Sequence, residues 1–179
     1  MTKQEAEHFS MNTGRIFASL TPAMMALLAV AIANLPVTFS NGILPPPLLG
    51  LAVVYFWTLL RPDLVPPVLV LVIGLFEDLL SGGQPGLWAV GYLVAYAITD
   101  RQRDTFAGLA GWGVMIGFSI VMFCTAALVY SAGSLIYWRL APLQPLLIQA
   151  IVTVILYPLM AVILGLIHRR FVGAPHGQD

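Results

Sequence analysis

Charged side chains are scarce in this chain. Of its 179 residues, 9% are charged and 59% are hydrophobic, and eight basic residues balance eight acidic ones. Because soluble domains carry about 25% charged residues, this composition excludes an ordinary soluble globular protein. The neutral balance also lacks the basic excess that favours binding to nucleic acid. We therefore expect no nucleic-acid partner.

Residues that carry chemistry are equally rare. The single cysteine, Cys124, excludes a disulfide or an all-thiolate metal site within one chain. The three histidines, His8, His168 and His176, have no ligand spacing between them. No Ser/His/Asp set, His-Glu-x-x-His, phosphate-binding glycine loop or nucleotide motif occurs. We therefore predict no catalytic residue, no metal site and no cofactor, and a protein that is not an enzyme.

Apolar blocks, separated by charges and turns, make up the rest of the chain. A transmembrane helix needs about 20 apolar residues, and roughly 150 residues are available for about six crossings. We predict an all-α, polytopic integral membrane helix bundle, with one transmembrane domain at 16–168 between short cytoplasmic tails at 1–15 and 169–179. The six predicted helices lie near residues 16–35, 43–60, 64–80, 87–99, 106–130 and 143–167.

Two features of this assignment rest on length. The uncharged run 105–138 would be about 50 Å long as one helix, which exceeds the hydrocarbon core. We therefore end that helix near Tyr130 and assign residues 131–141 to an external loop. Blocks 64–76 and 87–99 are short for a crossing, so they form either two short crossings or one re-entrant hairpin.

The basic residues predict the orientation. If the N-terminus is cytoplasmic, only Arg139 lies outside, which is the bias expected for inner-membrane topology. Both termini are then cytoplasmic. The predicted cytoplasmic basic residues are Lys3, Arg15, Arg61, Arg101, Arg103, Arg169 and Arg170.

Two adjacent acids, Glu77 and Asp78, interrupt the third apolar block. The two acids are predicted to lie in the outer part of the hydrocarbon core. A carboxylate there has a cost in insertion free energy unless it is paired. Adjacent helical positions point about 100° apart, so the two carboxylates cannot both face one partner. Three partners are open for Asp78: the N-terminal end of the next helix, the side chains of Ser81 or Gln84, and Arg139.

Three roles for the acids are also open. They mark the external end of the third helix, or Asp78 holds the turn so that it can dock a partner, or they couple transport to protons or ions. The Gly-Gly-Gln-Pro-Gly run at 82–86 forces a tight turn directly after them.

Two further features concern packing and topology. Arg61-Pro62-Asp63 predicts a tight cytoplasmic turn, and the preceding aromatic residues at 55–57 suit the lipid–water interface. Gly113 and Gly117 have the Gly-x-x-x-Gly spacing that lets helices approach closely, within the bundle or against another protein. The candidate partner-docking or structural residues are Asp78, Glu77, Gly82, Gly86, Arg61, Pro62, Gly113 and Gly117.

A recognisable pattern covers residues 55–87. It consists of Tyr-Phe-Trp-Thr-Leu-Leu-Arg-Pro at 55–62, Gly-Leu-Phe-Glu-Asp at 74–78, Leu-Leu-Ser-Gly at 79–82 and Pro-Gly-Leu at 85–87. It resembles the MreD family of rod shape-determining proteins of the bacterial inner membrane. Within the acidic pair, only Asp78 carries the match.

The resemblance implies a non-enzymatic scaffold of the cell-elongation machinery. Its implied partners are a bitopic MreC-like protein, a RodA-like glycosyltransferase, the elongation transpeptidase, MreB filaments directly or indirectly, and membrane lipid. The family is also similar in fold to the substrate-binding subunits of energy-coupling-factor transporters, although function does not follow from fold.

Two other functions remain as alternatives. A small-molecule uptake subunit of the energy-coupling type would need a polar pocket, for which Trp88, Tyr92 and Tyr96 beside Asp78 are the candidates. An ion- or proton-coupled carrier would rely on Asp78 itself.

Overall fold

The computed structural model describes residues 20–35, 45–108, 111–138 and 142–171. Within these ranges the chain forms seven α-helices, one short 3-10 helix at Pro62–Leu64 and no strand, which confirms the all-α prediction. The α-helices are α1 (Leu20–Ala33), α2 (Leu49–Leu60), α3 (Pro67–Ser81), α4 (Leu87–Arg101), α5 (Arg103–Gly108), α6 (Trp112–Tyr137) and α7 (Leu143–Phe171). Six of them correspond to the predicted helices, and α5 is an additional short one.

The central element of the bundle is α2. All of its residues except the first and the last are buried, and it packs against both α4 and α7. The predicted helix at 43–60 was wrong at its start, because α2 begins at Leu49. Consecutive prolines at 45–47 explain the difference, since each proline disfavours helical backbone in the residue before it.

The non-helical segment before α2 is hydrogen-bonded to two side chains of α7. The backbone N–H of Leu48 donates to Thr153 Oγ1 at 3.0 Å, and Gln149 Nε2 donates to the carbonyl of Pro46 at 2.8 Å. Non-helical backbone is tolerated at membrane depth only where protein groups or water satisfy it. These two side chains therefore satisfy backbone groups of the segment that the helix itself leaves without partners.

The aromatic residues near the end of α2 lie in the core and not at a lipid interface. Tyr55, Phe56 and Trp57 are all buried, which corrects the interface prediction. Tyr55 packs edge-to-face against Phe118 and Tyr157, with ring centroids 5.2 and 5.6 Å apart. Aromatic pairs of this kind contribute about 0.5–1.5 kcal/mol beyond their buried area.

Helices α3 and α4 form an antiparallel hairpin. Gly82 (φ 66°) ends α3 and Gly86 (φ 96°) precedes α4, and both adopt a left-handed conformation that side chains disfavour. Each helix has 15 residues, and is therefore about 22 Å long. The two helices touch at Gly74, where an added Cβ would lie 2.5 Å from the Ala89 Cα.

The predicted end of the fifth helix near Tyr130 was wrong. Helix α6 continues to Tyr137, so residues 131–137 are helical and do not form an external loop. Nothing in this stretch breaks a helix strongly, since Gly133 costs only about 1 kcal/mol relative to alanine. The helix ends before Trp138, whose φ of 50° is left-handed.

The last helix also exceeds its prediction. Helix α7 runs from Leu143 to Phe171 and includes Pro158, so the predicted tail at 169–179 begins with helical residues. Three parts of the prediction lie outside the described residues. They are the tail at 1–15, the first residues of the helix at 16–35, and Arg139.

Two helices are long and apolar enough to span a membrane. They are Trp112–Tyr137 and Leu143–His168, each of 26 residues, with mean hydropathies of 2.1 and 2.6. Less than half of either apolar stretch is buried within the protein. Their outer surfaces therefore suit contact with lipid.

The contact at Gly74 generates a stability prediction. We expect Gly74→Ala to lower the free energy of unfolding by about 1–3 kcal/mol, because the new methyl group pushes the backbones of α3 and α4 apart. Thermal unfolding of the purified protein in detergent measures this. Gly165→Ala is the matched control, since a Cβ there meets nothing within 4 Å. Equal unfolding temperatures for the two variants would contradict the prediction.

Candidate functional site

The carboxylate of Asp78 closes the turn between α3 and α4. Its Oδ2 accepts hydrogen bonds from the backbone N–H groups of Gly86 at 2.8 Å and Ala89 at 3.1 Å, and its Oδ1 accepts from Trp88 N–H at 2.8 Å. The side chain is buried, with the residue 2% exposed. We call this arrangement the Asp78 cap.

The cap is needed because the residue before α4 is glycine. The first N–H groups of a helix have no partner within the helix, and a polar side chain at the N-cap normally accepts from them. Gly86 has no side chain, so Asp78 replaces it from eight positions earlier. The negative charge also interacts favourably with the N-terminal end of the helix dipole.

The structure selects among the predicted partners of Asp78. The N-terminal end of α4 binds the carboxylate, as one of the three alternatives predicted. Ser81 Oγ lies 3.4 Å from the backbone carbonyl of Asp78 and does not bind its carboxylate. Gln84 Oε1 is buried without a hydrogen-bond partner among the described residues, and Arg139 is not among them.

Glu77 faces a different part of the bundle. Its Oε1 accepts a hydrogen bond from Asn34 Nδ2 at 2.9 Å, and its Oε2 accepts one from Tyr92 Oη at 3.0 Å. Glu77 is 1% exposed and Tyr92 is fully buried. As predicted from helical geometry, the two adjacent carboxylates do not share a partner.

Glu77 joins four helices at one point, which we call the Glu77 node. Asn34 directly follows α1, Glu77 lies on α3 and Tyr92 lies on α4. On α2, Gly50 leaves space for the tyrosine, because a Cβ there would lie 2.7 Å from Tyr92 Oη and 2.3 Å from Val30. The node thus holds the end of α1 against the hairpin and the central helix.

At the other end of α3, Arg61 binds Asp63. Arg61 Nη2 and Asp63 Oδ2 are 3.1 Å apart, and a second bond from Nε to Oδ1 is also 3.1 Å long. The hydrogen bond from Arg61 lowers the pKa of Asp63. Pro62 begins the 3-10 helix that contains Asp63, and Arg61 precedes that helix. The pair is largely exposed, so it shapes the turn and contributes little stability.

Three glycines outside the predicted pair permit close helix contacts. They are Gly50, Gly74 and Gly91, where a Cβ would meet neighbouring atoms at 2.9 Å or less. Each of the three is isolated in the sequence, so no repeated spacing marks it. In the predicted pair, Gly117 is buried and Gly113 is partly exposed, and their role in helix packing stays a prediction.

The aromatic residues proposed for a ligand pocket pack into the core. Trp88 and Tyr92 are buried, and Tyr96 is partly buried. An open cavity of about 570 Å³ lies elsewhere, between the end of α1, the segment before α2, the end of α3 and α7. Its walls are mostly apolar, and its polar side chains are Asn34 and Ser81. Among the described residues, no group of three or more His, Cys, Asp or Glu could hold a metal.

Comparisons with protein-family models, curated proteins and solved structures found no match to this chain.

The Asp78 cap predicts graded effects on stability. We expect Asp78→Ala to cost several kcal/mol, because each of three N–H groups loses its partner at about 1–3 kcal/mol per buried group. Asp78→Asn keeps one carbonyl oxygen and should cost less. Thermal unfolding in detergent ranks the variants, with Asp104→Asn as the control, since that side chain is 97% exposed. If Asp78→Ala unfolded at the same temperature as the control, the cap would not stabilise the fold.

The Glu77 node predicts a different tolerance. In Glu77→Gln the amide oxygen can accept from Asn34 while its nitrogen donates to the Tyr92 oxygen, because a hydroxyl both donates and accepts. We therefore expect a smaller loss of unfolding temperature for Glu77→Gln than for Asp78→Asn. Glu77→Ala should lose both contacts and fall well below Glu77→Gln. Equal losses in Glu77→Gln and Glu77→Ala would show that the hydrogen bonds are unimportant.

Proposed function

We propose that this protein is a non-enzymatic membrane scaffold of the bacterial cell-elongation machinery, similar to MreD. In this proposal it lies in the inner membrane as a multi-pass protein with both termini cytoplasmic. It docks a bitopic MreC-like protein and the peptidoglycan synthases, which are a RodA-like glycosyltransferase and the elongation transpeptidase. It contacts MreB filaments directly or indirectly.

The Asp78 cap is the observation that carries this proposal. Asp78 is the acidic residue on which the resemblance depends, and its carboxylate is used entirely to hold a turn. Residues 81–83, at the turn itself, are exposed. A turn that is already ordered binds a partner without a further loss of conformational entropy. This favours docking over chemistry at the site.

The remaining polar groups support the same view. Glu77 is bonded to Asn34 and Tyr92, and Thr153 and Gln149 are bonded to the segment before α2. These side chains maintain the architecture of the bundle. The outer surface that remains is largely apolar, so contact with other membrane proteins and lipid is its available chemistry.

The test is a pull-down of the tagged chain from its own membranes in mild detergent, read by mass spectrometry. We expect an MreC-like protein and the elongation synthases to be recovered, and Gly86→Leu to reduce that recovery several-fold. Gly86 has a φ of 96°, at which a leucine is strained, so the substitution distorts the turn.

Gly83→Leu is the matched control. Gly83 lies in the same turn without a positive φ, and a Cβ there meets only Ser81 Oγ at 3.5 Å. Quantification of each variant in the membrane fraction separates assembly from insertion. If partners were lost in proportion to the amount inserted, Gly86 would have a structural role alone.

One observation favours a second candidate function. The cavity of about 570 Å³ lies beside non-helical backbone at residues 45–47, and discontinuous helices form substrate sites in several transporters. Its volume is within the range of about 300–1,000 Å³ that is usual for ligand pockets. A substrate-binding subunit of an energy-coupling-type transporter would use such a cavity.

The two functions separate in two measurements. For the transporter subunit, a panel of water-soluble vitamins would raise the unfolding temperature of the wild-type protein, and Leu156→Trp, which fills the cavity wall, would abolish the rise. The pull-down would then recover ATP-binding-cassette ATPases in place of elongation proteins. For the scaffold we expect neither result.

A further inference from the structure

The ends of α6 carry exposed tryptophans. Trp112 begins the helix and is 81% exposed, and Trp138 follows its last residue and is 87% exposed. The helix between them is about 39 Å long. Tryptophan is enriched at both membrane–water interfaces, and a bilayer with its interfacial regions is about 40–45 Å thick. The two tryptophans therefore mark the two surfaces of the bilayer.

The α3–α4 hairpin is much shorter than this distance, and its position along α6 follows from two contacts. A Cβ at Gly133 would lie 3.6 Å from Leu87, and one at Gly91 would lie 2.9 Å from Val129. The two contacts agree on one antiparallel register. In that register the start of α4 is level with Gly133 on α6. This level is about 8 Å from Trp138, measured along the axis of α6 toward its middle.

The same register locates the other end of the hairpin. It aligns Arg101, the last residue of α4, with Ser119 on α6, which lies about 10 Å from Trp112 along the helix. The hairpin is therefore inset from both surfaces marked by the tryptophans. A re-entrant hairpin would be inset from one surface only, so the register favours two short crossings.

The outer face of α3 is apolar along its whole length. Its exposed large side chains are Val68, Leu71, Val72, Leu75, Leu79 and Leu80. Polar groups end this face on both sides, with Asp63 before the helix and Ser81 at its end. The helical part of this apolar face is therefore about 22 Å high, against about 30 Å for a hydrocarbon core.

The composition of this face identifies what covers it. Helices that pack against each other in membranes use small residues at the contact, and the small residue Gly74 points inward to Ala89. The exposed positions hold only valine and leucine among the large side chains, which suit fluid acyl chains. A bilayer adapts to a short apolar surface by thinning, at a fraction of a kcal/mol per ångström.

We propose that the outer face of α3 binds lipid acyl chains directly and thins the bilayer beside it, whereas α7 contacts bilayer of normal thickness. This inference rests on the membrane embedding in the proposed function but not on the elongation partners. It therefore stands or falls separately from the pull-down.

The experiment measures depth with a nitroxide label in reconstituted phosphatidylcholine vesicles. All labelled variants also carry Cys124→Ala, because the native Cys124 is exposed and would itself take up the label. Leu75→Cys labels the middle of α3, and Ile155→Cys, 68% exposed before substitution, labels the middle of α7. Power saturation with oxygen and a water-soluble nickel chelate gives the depth of each label below the lipid headgroups.

In vesicles of 18-carbon chains, we expect the Leu75→Cys label to be about 4 Å shallower than the Ile155→Cys label, since half of the difference in apolar height falls in each leaflet. In vesicles of 14-carbon chains the difference should nearly vanish. A second pair, Val72→Cys and Leu159→Cys, covers the case in which one label disturbs the fold.

Three results would overturn the proposal. Equal depths at both helices in both lipids would show that the bilayer is not thinned. A Leu75→Cys label protected from oxygen would show that protein covers the face. A label at Gly83→Cys that contacts oxygen but not the nickel chelate would place the turn within the hydrocarbon, as in a re-entrant hairpin.

Discussion

One carboxylate organises the half of the bundle that contains the candidate site. Asp78 accepts from three N–H groups at the start of α4, and a fourth, from Leu87, donates to the Gln84 carbonyl at 3.2 Å. The start of α4 is thereby satisfied without a side chain at Gly86. Because Asp78 fixes the register of the hairpin, it also brings Gly74 against Ala89. The adjacent Glu77 then points about 100° away, toward the partners that join the hairpin to α1 and α2.

The sequence predicted this architecture only in part. The order of the helices, the tight turn at 82–86 and the divergence of the two acids follow from periodicity, glycine chemistry and helical geometry. The partner of Glu77 does not, because Asn34 lies 43 positions earlier and no local pattern connects them. The burial of residues 55–57 was missed for a related reason, since an aromatic cluster next to arginine has the same composition at an interface and in a core. Which of the two applies depends on the neighbours of α2.

The two errors at helix ends have different physical causes. The predicted start of α2 is too early because the first turn of a helix tolerates proline, but consecutive prolines at 45–47 disfavour helical backbone in the residues before them. The predicted end of α6 is too early because it rests on the thickness of the hydrocarbon core alone. A helix can extend through the interfacial regions, which add about 10–15 Å to that core. In both cases backbone chemistry predicts the boundary better than hydropathy does.

The Asp78 cap and the short length of α3 are structurally connected. A turn that projects into water needs no buried carboxylate, because water satisfies the first N–H groups of the next helix. The N–H groups of Trp88 and Ala89 at the start of α4 are buried by the protein itself, where each unsatisfied group is costly. A hairpin this short requires an internal acceptor at its turn, and a carboxylate can accept from three donors at once. The rigid turn and the proposed thinning of the lipid beside it are thus two consequences of the same short helix.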